Sequence, residues 1–256
     1  MQSQLYLDKG IRKKFIDDLT LLKELFLIKV EPVFANAESE AEAYKRELWD
    51  SLSICSNELE DCAESIEEAA FERYSLIHLM YYRNLAAWIC TLCQVWEQQL
   101  YAFIVREAQS EGLEYNPEEL GCGFEFSKRV FEWHQYPLNK VSVWDKVKEL
   151  RLVVNVIKHA DGRSEKILRR IKPEIFIDEG YDLISLYHTS LLEPTLMIKR
   201  QDFCDYYEAL IAFWKEIPER MYTKELAENC EVPLFRDKKK KGASTRTHPE
   251  KSTHDK

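Results

Sequence analysis

An all-α fold is predicted from three observations. Helix breakers are scarce, with 7 glycines and 8 prolines in 256 residues. Leu, Glu, Lys and Ala, all strong helix formers, are abundant, and 45% of residues are hydrophobic against 32% charged. Apolar residues recur at helical rather than alternating intervals along most of the chain. A chain of this length can bury a sizeable core.

The elements follow from that periodicity. Leu5, Ile11, Phe15, Leu19, Leu22 and Phe26 place a first helix over Gln4 to Val30, and Pro32 breaks it. A second, rich in Glu and Ala, runs from about Ser39 to Glu58. A long helical region covers Asp61 to Glu111; it is apolar nearly all round from Leu76 to Trp96, which marks it as the central buried element. Asn116-Pro117, Gly121 and Gly123 make 112–123 a loop. A short helix from Phe124 to His134 ends at Pro137, and another from Ser142 to Ala160 stops at Asp161-Gly162. Ser164 is placed to cap a short basic helix through Ile171. The alternation in E-I-F-I-D, L-I-S-L-Y-H-T and T-L-M-I-K implies one or two short strands, or an extended loop, between 174 and 199. A last helix spans Gln201 to Arg220. From Arg236 onward no large apolar residue occurs, as in a disordered tail. The expected organisation is a helical extension over 1–60, a main helical domain over 61–235 and a basic tail over 236–256.

Several function classes are disfavoured. The longest uncharged apolar run, Asn84 to Trp96, falls short of the ~20 residues a membrane span needs. The N-terminus lacks an apolar run behind a basic start, so no secretory signal is expected. Seven scattered cysteines include a C-x-x-C at Cys90 and Cys93, but it sits in an apolar helical run without a second pair. Core thiols, no metal, no cofactor and a cytoplasmic setting are therefore expected.

Charge is distributed unevenly. The net charge is −9, which disfavours non-specific nucleic-acid binding. Lys146 to Lys172, however, holds nine Lys or Arg against three acids, a net +6, and Arg236 to Lys256 adds +5. The remainder carries −20. An anion-attracting island thus sits on an acidic chain.

That island contains the leading chemical constellation. On a helical wheel with Arg151 at zero, Lys158 falls near roughly −20°, Asn155 near 40° and His159 near 80°. Trp144 and Lys148 project onto the same sector. Val143, Leu150, Val153 and Ile157 form the core stripe, while Val147, Val154, Leu152 and Val156 border the polar face. An apolar border suits a cleft or a subunit interface. A histidine can move a proton to or from a ribose hydroxyl near neutral pH, and an arginine fork can stabilise a phosphorane-like transition state. The plainer reading is a polar helix face whose C-terminal histidine suits the helix dipole. Arg163, Lys166, Arg169, Arg170 and Lys172 continue the cations, either as a phosphate grip or as a solvated face. Arg83-Asn84 is a second polar pair, structural or cleft-lining, and His78 is expected to be a hydrogen-bonded core residue. No Gly-rich phosphate loop or Ser elbow is present.

The run E-L-R-x-x-x-N-x-x-x-H followed by a turn, late in a helical chain, resembles the HEPN superfamily over about Tyr74 to Trp214. That resemblance implies a helical bundle, commonly a homodimer with two such helices facing each other. Many members are metal-independent endoribonucleases of bacterial defence or toxin-type systems; others are non-catalytic. Asn155 and His159 match the family's R-N-x-x-x-H pattern. Val154 stands before Asn155, and Arg151 leaves seven residues before His159 where the family has four to six. The resemblance implies His159 as general acid/base, Arg151 as transition-state stabiliser and Asn155 as positioning residue. Lys158, Lys148, Arg163 and Arg170 are the expected RNA-phosphate contacts. Expected partners are RNA, a second copy and a neutralising protein. The alternative is a non-catalytic HEPN-like binding or dimerisation module.

Overall fold

Helices dominate the computed structural model, which describes residues 3–51, 59–111, 113–115, 123–187, 194–223 and 235–237. The chain is all-α with three small two-stranded ribbons. It forms two units. One comprises Met1–Asp8, Glu97–Lys140 and Pro218–Lys256, the other Lys9–Trp96 and Val141–Ile217.

In the second unit, helix α1 (Lys9–Leu25) buries Phe15 and Leu19. A single π turn (Phe26–Val30) and a 3₁₀ turn (Glu31–Phe34, with Pro32 at its start) follow. The wider π turn shifts the helical phase, and Phe26 becomes fully buried against Trp88 and Phe203, ring centroids 5.7 and 4.7 Å away. Helix α2 (Ala37–Ser51) runs antiparallel to the start of α3 (Leu59–Ser110), as the pairs Glu40–Arg73 and Lys45–Glu67 show.

Helix α8 (Arg200–Glu216) is the most enclosed element of this unit, burying Phe203, Tyr206, Tyr207, Leu210, Phe213 and Trp214. It lies antiparallel to α1: Phe15 meets Trp214 at 4.6 Å, and Thr20 meets the Tyr207 hydroxyl at 3.0 Å. Asp202 accepts the Lys199 N–H at 2.7 Å and so satisfies one donor at the start of α8. One face of α3, with Leu85, Ala86, Ile89, Leu92, Cys93 and Trp96, is also core, Trp96 standing edge-on to Phe213 at 5.2 Å.

The other unit is tied together by strand β1 (Gln4–Tyr6), which pairs antiparallel with β5 (Arg220–Tyr222). Glu107 and Glu111, at the C-terminal end of α3, accept the N–H groups of Tyr6 at 3.0 Å and Gln4 at 2.9 Å. Helix α4 (Phe124–Trp133) packs Phe126 and Phe131 against Tyr101 and Phe103. Strands β2 (Leu113–Tyr115) and β6 (Phe235–Asp237) form a second ribbon.

Several expectations need correction. Gln4–Tyr6 is a strand, and the first helix begins at Lys9. Leu76 and Met80 are 50% and 46% exposed and His78 is half-buried, so this stretch of α3 is not buried all round. L-I-S-L-Y is helical (α7, Leu183–Tyr187), and the ribbon beside it is the Ile177–Asp178/Tyr181–Asp182 pair, β3 and β4. The expected loop at 112–123 contains β2, and the last helix ends at Glu216 rather than Arg220. The tail beyond Asp237 lies outside the described residues.

Candidate anion-binding surface

Helix α5 (Trp144–His159) carries the polar stripe. Val147, Leu150, Val153, Val154 and Ile157 are buried; Arg151, Asn155 and Lys158 are half-buried, and Lys148 and His159 are exposed. The stripe therefore faces outward, with His159 at its tip. Its apolar border is closed inside the chain itself. Leu152 is 8% and Val156 1% exposed, so neither offers an apolar surface to a second copy.

The helix stops because its last turn leaves helical geometry. Ala160 takes φ +55°, ψ −98° while its N–H still reaches the Val156 carbonyl at 2.8 Å. Positive φ is strained for a residue with a Cβ, at a cost on the order of 1–3 kcal/mol. Gly162 follows at φ +138°, a conformation that glycine alone adopts readily. Helix α6 (Arg163–Ile171) then starts with Gly162, not Ser164, as its capping residue. Ser164 instead ties the two helices across the turn, its hydroxyl accepting a hydrogen bond from Asn155 Nδ2 at 3.2 Å.

Within α6, Arg163, Lys166 and Arg170 fall within roughly 60° of one another, opposite the buried Leu168. All three are exposed. Arg169 points elsewhere. It donates to Glu165, donates to both Asp182 oxygens at 2.5 and 3.1 Å, and lies over the Phe176 ring at 4.2 Å.

Lys146 and Lys172 are likewise directed inward, onto Glu149. One oxygen of that carboxylate accepts from Lys146 at 3.0 Å, Lys172 at 3.1 Å and the Tyr206 hydroxyl at 2.9 Å. Lys172 also donates to Asp202 at 2.6 Å. Burial pushes the Glu149 carboxyl up, but Lys146, Tyr206 and Lys172 together outweigh it and hold the group below the usual 4.5. Burial disfavours the Lys172 ammonium, yet Asp202 and Glu149 raise it above 10.5. Burial and the Glu149 charge keep the Tyr206 hydroxyl protonated. This network joins α5, the end of α6 and α8. Apart from the i,i+3 pair Lys146–Glu149, no local pattern announces it, since its other contacts are 23, 30 and 57 residues apart in sequence.

The cations of the island thus divide in two. Lys146, Arg169 and Lys172 are neutralised internally. Lys148, Lys158, Arg163, Lys166 and Arg170 form no ion pair among the described residues. Burial pushes the Cys90 thiol up, and the Lys158 charge draws it back in part. Along α5, Arg151 and His159 are two turns apart, about 12 Å in axial rise.

The other polar candidates lie on α3. Asn84 Nδ2 donates back to the Met80 carbonyl at 3.0 Å within its own helix. His78 is half-buried rather than in the core, its ring 4.3 Å from that of Tyr74. Among the described residues no cluster of His, Cys, Asp or Glu has metal-binding geometry, and no helix is long and apolar enough to cross a membrane. Comparisons with protein families, with curated proteins and with solved structures find no match.

Proposed function

We propose that this chain is a HEPN-like RNA-binding module that grips phosphates through the outer surface of α5 and α6. One observation carries the reading: Lys148, Arg163, Lys166, Arg170 and His159 are exposed on two helices joined by one short turn, with Lys158 half-buried beside them, while Lys146, Arg169 and Lys172 of the same segment are neutralised. Phosphate contacts by Lys and Arg release counterions, so affinity should fall steeply with salt. Fluorescence anisotropy with single-stranded RNA at several salt concentrations tests this. Arg163→Ala and Arg170→Ala should each weaken binding and flatten the salt slope by about 0.7. A slope that neither change alters refutes the assignment.

A second reading, metal-independent RNA cleavage, is favoured by the exposure of His159 beside those cations. In it, His159 removes the 2′-hydroxyl proton, the 2′-oxygen attacks phosphorus, and the 5′-oxygen leaves with a proton from an acid, giving a 2′,3′-cyclic phosphate. Arg151 would stabilise the transition state. Two features favour binding over cleavage: Asn155 is engaged with Ser164, and Arg151 lies two turns from His159. Incubating the protein with RNA in EDTA beside His159→Ala separates the readings. Cleavage lost in the variant supports the enzyme; its absence in both leaves binding alone. A homodimer that met through α5 would have to use the polar face of that helix, because Leu152 and Val156 are already covered. Mass measurement in solution checks it.

A further inference from the structure

The Glu31–Phe34 turn, the start of α2 and one side of α3 border an open cavity of about 490 Å³, lined in part by Glu31, Phe34, Ala35, Ile77, His78 and Tyr81. That volume is in the range of small-molecule pockets. Two of the cavity's lining residues, Ala35 and Ala37, carry only a methyl group and leave the space open. Its walls are largely apolar and aromatic. Phe34 and Tyr81 stand edge to face at 5.7 Å, and the His78 ring adjoins Tyr74.

One charged group converges on it. Glu31 receives the Tyr81 hydroxyl at 3.3 Å on one oxygen and Arg200 Nε at 2.8 Å on the other. The Arg200 side chain is 53% exposed against 21% for Glu31, so water screens the guanidinium more than the carboxylate. A carboxylate has about four lone-pair sites, which leaves room for a further donor. Aromatic faces and a carboxylate at one end together favour a cation with an apolar body.

We propose that this cavity binds a small organic ammonium ligand, its apolar part between Phe34, Ile77 and Tyr81 and its ammonium at Glu31. The assignment is independent of the α5–α6 surface.

The test titrates the full chain calorimetrically with three probes of one shape: phenethylammonium, phenethyl alcohol and phenylacetate. The ammonium should bind about 5-fold tighter than the alcohol, and the carboxylate weakest. Glu31→Gln should erase that preference. Arg200→Gln, which removes the competing cation, should strengthen it. Ala35→Leu narrows the cavity and should weaken the ammonium and the alcohol alike. Phenylacetate binding as well as the ammonium, a preference that survives in Glu31→Gln, or no binding of any probe overturns the proposal. If Glu31→Gln loses its helical circular dichroism, the Arg200→Gln and Ala35→Leu titrations decide it.

Discussion

The inner and outer faces of the α5–α6 pair carry cations of the same kind with different fates. On the inner face, Lys146, Arg169 and Lys172 hold α5, α6, α8 and the β3–β4 ribbon together through Glu149, Asp182 and Asp202. On the outer face, Lys148, Arg163, Lys166 and Arg170 are exposed and Lys158 is half-buried. Charge counted along a sequence therefore overstates what a ligand feels. Three of nine basic residues in the island are committed to folding, and five of the other six form no ion pair among the described residues.

Each substitution below is chosen to break or sharpen that division. The largest effect is expected at Glu149. Glu149→Ala leaves Lys146, Lys172 and the Tyr206 hydroxyl short of an acceptor, and urea denaturation should show a loss of about 3 kcal/mol. The pH dependence follows from the two shifts. Glu149 is held below its ordinary value, so its contribution is complete above that value and is lost as pH falls through the lower folded one. Lys172 is raised, so its contribution is complete below its ordinary value and is lost only as pH rises through the higher folded one. Stability from the network should be level across neutral pH, and the acid limb should flatten in Glu149→Gln.

Arg169→Ala should cost less, about 1–2 kcal/mol, because its carboxylate partners are partly solvated although the guanidinium also stacks on Phe176. Ala160→Gly should raise the unfolding free energy by about 1 kcal/mol through release of positive-φ strain, measured in the same titration. The smallest stability effects belong to the outer face. Lys166→Ala and Arg170→Ala should each change stability by less than about 0.5 kcal/mol while weakening RNA binding. If either outer change destabilises as much as Glu149→Ala, the division into structural and ligand-facing cations fails.

Much of the fold is legible in the sequence because it is local. Periodicity locates α3, α4 and α5 to within a few residues, and Asp161-Gly162 signals the end of α5. The polar stripe is legible for the same reason: Arg151, Asn155 and His159 share a face in any helix. The inner network is not, since nothing near Lys146 or Lys172 reveals that Asp202 and Tyr206 arrive from α8. Ser164 illustrates the limit at short range. Its residue type suggests a helix cap, but Gly162 has already begun the helix, which leaves the serine hydroxyl to accept from Asn155. The exposed stretch of α3 escapes a sequence reading because apolar composition records what a helix could bury, not whether a neighbour is there to cover it.

The Ala160–Gly162 turn has one further consequence. It holds two positive-φ positions and is clamped on one side by the Asn155–Ser164 bond, so the helices that it joins have little freedom to reorient. The cations they carry are thereby set at fixed mutual spacings before any polyanion arrives. On the proposed reading such a surface would act as a ruler: a flexible strand would have to bend its phosphates to the protein's intervals, the entropy of arranging the cations having been spent in folding.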